Sequence, residues 1–136
     1  MGKKKKVSSQ SVGLDIGLVI GKFFLNTEDL HYGYWPNGKE TDIQGLAKAQ
    51  EDHSQFIIDH IPEKTKSILD VGSGSGNLAL KLLNLGYAVD CVIPSEFLAK
   101  QVTEKLGERS KIHICGFEKV DDYKKFDLIL FSESFQ

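Results

Sequence analysis

The chain has 136 residues, 40% of them hydrophobic and 26% charged, the composition of an ordinary globular domain and the length of one compact unit with its own core. A formal charge of -2 gives no general attraction to nucleic acid or to an anionic membrane, so a partner of that kind would need a local basic patch. The two cysteines, Cys91 and Cys115, are too few and too far apart for a disulfide framework or a metal knuckle, and buried free thiols in a reducing, cytoplasmic setting are expected.

The single basic patch comes first in the chain. Lys3, Lys4, Lys5 and Lys6 repel one another at a chain end, which favours a solvated tail; weak contact with anionic lipid or RNA is the alternative. Met1-Gly2 does not complete an acylation signal, because Lys6 stands where Ser or Thr is needed. Residues 12–25 form the one long apolar stretch, too short to span hydrocarbon and interrupted by Gly13, Asp15, Gly17, Gly21 and Lys22. A helix or packing segment is predicted there. From Thr41 onward Ile43, Leu46, Ala47, Ala49, Gln50, His53, Phe56, Ile57 and Ile61 recur near a 3.6-residue period, predicting an amphipathic helix that Pro62 ends.

An α/β alternation follows. Residues 67–71 predict a first strand that breaks on Gly72, and residues 77–85 a leucine-rich helix closed by Gly86. Residues 87–93 predict a second strand stopped by Pro94, then a helix over 95–106 that Ser95 can cap and Gly107 ends. A third strand is predicted over 111–115, a loop or short helix over 116–125, and a fourth strand over 126–131. The run Leu128, Ile129, Leu130 is apolar enough for a strand covered on both faces. Strands that alternate with helices imply a parallel sheet with right-handed crossovers.

The chemistry gathers at Ile68-Leu69-Asp70-Val71-Gly72-Ser73-Gly74-Ser75-Gly76-Asn77. Glycines in a strand-to-helix turn permit positive φ and let a ligand approach the backbone, while N–H groups at the helix start favour a negative ligand group. The dinucleotide pattern needs glycine at its sixth position, where this chain has Asn77. Asp70 also stands two residues ahead of the first glycine. A diphosphate 4 Å from that carboxylate would meet repulsion of about 1 kcal/mol in water-like surroundings and about 4 kcal/mol at an intermediate dielectric. A ligand carrying an amino group would gain instead.

Leu69-Asp70-Val71-Gly72-Ser73-Gly74-Ser75-Gly76 resembles motif I of the class I S-adenosylmethionine-dependent methyltransferases. The resemblance implies a Rossmann-like, doubly wound parallel sheet, S-adenosylmethionine as cofactor, and methyl transfer to a small-molecule acceptor. It places Asp70 near the methionine amino group, and Gly72, Ser73, Gly74 and Gly76 against the methionine and ribose portion. The segment ending at Pro94 and Ser95 is similar to the family's second strand, and Phe126-Asp127-Leu128-Ile129-Leu130 to its fourth. His31-Tyr32-Gly33-Tyr34-Trp35 resembles a segment that helps enclose cofactor and substrate in tocopherol and cyclopropane-synthase-like methyltransferases; aromatic packing against the first periodic helix is the alternative.

One position departs from the family. Where most members end the second strand with an acid that binds the ribose hydroxyls, this chain has Ile93, and Asp90 lies too early to replace it, so ribose recognition falls to Ser95, backbone groups or water. An uncompensated loss of one charged hydrogen bond costs about 1.5–3 kcal/mol. Phe117 and Glu118 occupy the region that borders adenine in the family, or else form a hydrophobic anchor beside a surface acid. His31, His53, His60 and His113 read as structural, so no catalytic residue and no metal site is assigned.

The resemblance spans about Leu30 to Gln136, and the chain is expected to divide into a tail and packing segment, residues 1–42, and a cofactor-binding unit, residues 43–136, that stops after the fourth strand. On that basis an open sheet edge is expected along residues 126–131, inviting self-association, and the fragment alone is expected to be poorly stable and to show no turnover. Two further readings stand beside a methyltransferase fragment. One is a non-catalytic cofactor-binding or partner module completed by another chain; the other is nucleotide-dependent oxidoreduction, which Asp70 and the shifted glycine disfavour.

Overall fold

The computed structural model describes residues 9–36, 42–132 and 134. The lysine run and Thr41 lie outside the described residues. Four strands, β1 (Ser67–Val71), β2 (Ala88–Val92), β3 (Ile112–His113) and β4 (Leu128–Phe131), form one sheet of order β3-β2-β1-β4 in which every pairing is parallel. Helices α1 (Ser9–Phe24), α2 (Leu46–Asp59), α3 (Asn77–Asn84) and α4 (Glu96–Leu106) accompany it, with short 3-10 turns at Phe117–Lys119 and Tyr123–Lys125. This is the expected Rossmann-like α/β arrangement.

Alternation along the strands divides the interior in two. Ile68, Val89, Cys91 and Ile93 face Ala79 and Leu82 of α3 and Leu98, Ala99, Val102 and Leu106 of α4, all of them buried, and Leu18 of α1 joins the same cluster. On the opposite face Leu69, Val71 and Val92 meet Val120, with Phe117, Ile129 and Phe131 partly buried against them. At about 25 cal/mol per Å2 of apolar area removed from water, the first cluster is the main source of hydrophobic stabilisation.

Several element boundaries differ from the expected ones, each for a local reason. The first periodic helix begins at Leu46, after a turn in which the Asp42 carboxylate accepts from the Gly45 N–H; Ile43 is left 71% exposed outside the helix. The third strand shrinks to two residues, since among the described residues β3 has a neighbour on one side only and only Ile112 and His113 stay in register with Cys91 and Val92. The fourth strand starts at Leu128 because Asp127 is used as a clasp. Its carboxylate accepts from the Lys66 and Ser67 N–H groups at 2.9 Å and from Ser67 Oγ at 3.0 Å, tying the starts of β1 and β4 together. These bonds hold the Asp127 carboxyl below its ordinary pKa. As expected for a strand with both faces covered, β4 meets both interior clusters, Leu128 and Leu130 on one side and Ile129 and Phe131 on the other, but at the sheet edge each of its four residues stays half-buried.

Cys91 is buried and Cys115 half-buried, both as free thiols. Burial, together with the neighbouring Asp70 carboxylate, pushes the Cys91 thiol up to about 11.

Candidate functional site

From β1 the chain steps outward through α3 to β2 and through α4 to β3, then returns to place β4 on the other side of β1. At such a reversal the connections leave in opposite directions and a crevice opens beyond the C-terminal strand ends, where open parallel sheets bind ligands. The turn Gly72–Ser73–Gly74–Ser75–Gly76 follows β1 at that point, and the Gly72 N–H donates to Val92 O at 2.9 Å, joining it to the end of β2.

Its three glycines have positive φ, +76°, +53° and +77°, but meet different surroundings. A Cβ on Gly72 would lie 2.2 Å from Ser134 Cβ, and one on Gly76 would lie 2.9 Å from Val102 Cγ1, so these two give way to the segment after β4 and to α4. A Cβ on Gly74 would have only Gly72 O nearby, at 4.0 Å. The open backbone of the turn is therefore at Gly74. Ser73 Oγ donates to Asp70 O at 2.7 Å, and Ser134 Oγ donates to Val71 O, fixing the turn's first half from two directions.

Asp70 lies beneath this turn rather than at its surface. Its residue is 1% exposed, and Oδ2 finds no hydrogen-bond partner among the described residues. Burial raises its pKa to about 6, with the Ser73 hydroxyl offsetting part of the effect. Near neutral pH the group is still mostly ionised, so the turn sits over a poorly compensated negative charge.

The remaining predicted residues divide into two groups. Pro94 is exposed and Ser95 half-buried at the end of β2, level with the turn, but Ser95 Oγ accepts from Leu98 N at 3.3 Å as the cap of α4. Ile93 is 2% exposed in the core, and Asp90 pairs with His113 at 3.2 Å. Phe117 and Glu118 lie past β3. Phe117 packs against Tyr123 and edge-on against Phe131, with ring centroids 5.5 and 5.1 Å away, while the exposed Glu118 carboxylate folds back over Gly116.

Sequence reasoning missed the network that connects the turn to residues 27–35. Asp29 Oδ1 accepts from Ser75 Oγ at 3.1 Å and from Asn77 Nδ2 at 2.8 Å. Asn77 Oδ1 accepts from Lys105 Nζ at 2.7 Å, and Lys105 also bonds Glu28 at 2.9 Å. Hydrogen bonds to Lys22 and then Lys105 pull the Glu28 carboxyl down to about 2. From α2, the buried Gln50 accepts from Thr27 Oγ1 at 2.6 Å and donates to Asp29 O at 3.1 Å and to His31 O at 2.7 Å. Gln50 carried the only available signal, an amide within an apolar periodic stripe. Nothing local marked Asp29 or Ser134.

The aromatic segment packs on α2, with Tyr34 and Phe56 ring centroids 5.1 Å apart and the Tyr34 N–H donating to Ala49 O at 2.8 Å. His31 and His53 rings lie 4.7 Å apart, and His60 Nδ1–H donates to Phe56 O at 2.7 Å. A separate cleft of about 350 Å3 runs between α1 and α4, touching the turn at Ser75. Among the described residues no cluster of His, Cys, Asp or Glu is placed to hold a metal, and no helix is long and apolar enough to cross a membrane.

No protein-family model matches the chain. It is 30% identical over 97 residues to an uncharacterized methyltransferase of Geobacillus thermodenitrificans (strain NG80-2), a match covering 68% of this chain and 43% of that protein. Among solved structures, coclaurine N-methyltransferase bound to N-methylheliamine and SAH superposes with a TM-score of 0.64 at 15% identity, covering 93% of this chain and 42% of that one. The [4+2]-cyclase SpnF superposes with a TM-score of 0.55 at 19% identity, covering 82% of this chain and 44% of that one. The chain thus spans less than half the length of each of these proteins, and the structural likenesses establish the fold.

Proposed function

We propose that the chain belongs to the class I S-adenosylmethionine-dependent methyltransferase family, a reading supported by its 30% identity to a methyltransferase over 97 residues and by its fold, that the turn after β1 binds S-adenosylmethionine, and that the protein serves methyl transfer to a small-molecule acceptor. The observation carrying this reading is the open, side-chain-free backbone at Gly74, set over the ionisable Asp70 at the point where the strand order reverses. A buried negative charge beneath the turn resists a diphosphate and tolerates a cationic amino acid head group. The chain's residues fit the cofactor on this ground. Gly74 and the start of α3 would take the methionine portion, Pro94 and Ser95 would border the ribose, and Phe117 and Glu118 would border adenine.

When bound, the sulfonium supplies a methyl carbon already activated for displacement. The protein's part is to align the acceptor and exclude water, and a dedicated base is optional. The segment around His31–Tyr32–Gly33, held on α2 by Gln50, would close the site from one side. In this reading residues 43–136 form the cofactor-binding unit, residues 1–42 supply the packing segment, the setting is cytoplasmic, and nucleic acid is not a partner.

Titration calorimetry with S-adenosylhomocysteine tests it. Heat of binding is expected, with weaker or no heat from NADH, and Gly74→Val is expected to abolish the signal by filling the open position at positive φ. NADH binding more tightly than the sulfonium compound or its product would overturn the reading. A second reading, a non-catalytic module completed by another chain, is favoured by β4, which pairs with β1 alone among the described residues. Light scattering showing one discrete oligomer that binds cofactor but incorporates no labelled methyl group would select it.

A further inference from the structure

We propose that Asp29 is a positioning residue, which latches residues 27–35 to the glycine turn and thereby holds that turn in its ligand-accepting shape. The inference rests on the cofactor-binding reading and adds to it a residue outside the family motif.

Helix α3 begins from Gly76 in the left-handed region without a side-chain cap, so at the turn's exit, where the Gly76 N–H donates to Ser73 O at 2.8 Å, the helix start has no local side chain to fix it. Asp29 supplies one from a distance. Its side chain is 16% exposed, and a single oxygen receives hydrogen bonds from Ser75 and Asn77, the residues on either side of Gly76. A carboxylate at that place also complements the N-terminal end of the helix dipole.

The orientation of Asn77 is determined by its neighbours. Lys105 can only donate and an ionised Asp29 can only accept, so the amide must present Oδ1 to the first and Nδ2 to the second. Asn77 stands where the dinucleotide pattern would put glycine, and glycine there would remove the hub of the network. Asp29 is itself fixed, because Gln50, 2% exposed on α2, holds the Asp29 and His31 carbonyls and receives the Thr27 hydroxyl. The latch therefore runs from a helix, through residues 27–31, to the turn. Binding to a turn already held in shape avoids the cost of ordering it when the ligand arrives.

The test is titration calorimetry with S-adenosylhomocysteine on the full chain, with hydrogen exchange at residues 72–77 as a second readout. Asp29→Ala is expected to weaken binding about tenfold and to accelerate exchange at the turn, whereas Asp29→Asn, which keeps an acceptor oxygen, is expected to stay within about threefold of wild type. Asp127→Ala serves as the control, because it unties β1 from β4 at the opposite end of the sheet; it should lower the melting midpoint and leave affinity and turn exchange unchanged. Asn77→Ala breaks the same latch from the other side and should reproduce Asp29→Ala, which covers the case in which Asp29→Ala does not fold. Unchanged affinity in Asp29→Ala, or an equal loss in Asp127→Ala at matched destabilisation, would overturn the proposal. Absence of binding by the wild-type chain would count against the cofactor reading instead, and the exchange comparison would then decide the latch alone: faster turn exchange in Asp29→Ala but not in Asp127→Ala supports it, and equal exchange defeats it.

Discussion

The two faces of the sheet are built to different standards. On one, α3 and α4 lie over Ile68, Val89, Cys91 and Ile93, and that cluster contains residues with no exposed surface at all, among them Leu82, Ala99 and Val102. On the other, two 3-10 turns and an aromatic group of Phe117, Tyr123 and Phe131 cover the strands thinly, and Ile129 and Phe131 remain half-buried. The difference follows from chain order. Both crossovers, β1-α3-β2 and β2-α4-β3, put their helices on the same side, as crossovers of one hand do, whereas the link from β3 to β4 brings no full helix to the other. Stability is concentrated on one face, and the site lies at the edge where that face meets the turn.

The largest expected effect compares matched truncations in the two clusters. Leu82→Ala should cost about 2–5 kcal/mol in denaturant unfolding, because α3 cannot collapse into the vacated volume, and Ile129→Ala on the thin face should cost clearly less. Equal costs would remove the asymmetry.

Next comes the acid on the thick face. Since the folded pKa of Asp70 is about 6 against an ordinary 3.8, its penalty is absent below pH 4, grows as pH rises toward 6 and is fully present above it. Wild-type stability should therefore lose about 2–3 kcal/mol between pH 4 and pH 7 relative to Asp70→Asn. Parallel pH profiles for the two proteins would show that the burial does not act on the charge.

On the thin face, Phe117→Leu keeps apolar volume but loses the ring contacts with Tyr123 and Phe131, for an expected cost of about 1 kcal/mol. The smallest effect is at Glu28, where the lowered pKa makes a favourable contribution above pH 4.5 that is lost as pH falls toward 2. With its side chain 39% exposed, screening reduces that contribution to a few tenths of a kcal/mol. Glu28→Gln should differ from wild type at neutral pH and low salt, and match it at pH 2 or high salt.

What was legible in the sequence was what neighbouring residues determine together. The apolar run at Ile68 and Leu69, the glycine turn and the cap at Ser95 declare themselves within a few positions, so the strand-turn-helix unit could be read directly. The ends of β3 and β4 could not, because edge strands stop where pairing fails, and pairing is decided by distant residues such as Lys66 and Ser67 meeting Asp127. Phe126-Asp127 read as part of a strand and acts as a clasp. In the site, Gly72, Gly74 and Gly76 were visible as a set, but only the folded chain distinguishes the glycine left open from the two that accommodate neighbours. Asp29 was out of reach for the same reason: a carboxylate in a short polar segment has no local mark, and its partners Ser75 and Asn77 are far along the sequence.

The notch at Gly72 joins two segments that have no common local signal. Ser134 rests in it and donates to the carbonyl of Val71, so the chain leaving β4 is keyed into the first bend after β1. A ligand that pushes this bend would also press on Ser134, and a bulkier side chain at either position would pry the two apart. Occupancy at the glycines would in this way be felt at Ser134 without any direct contact.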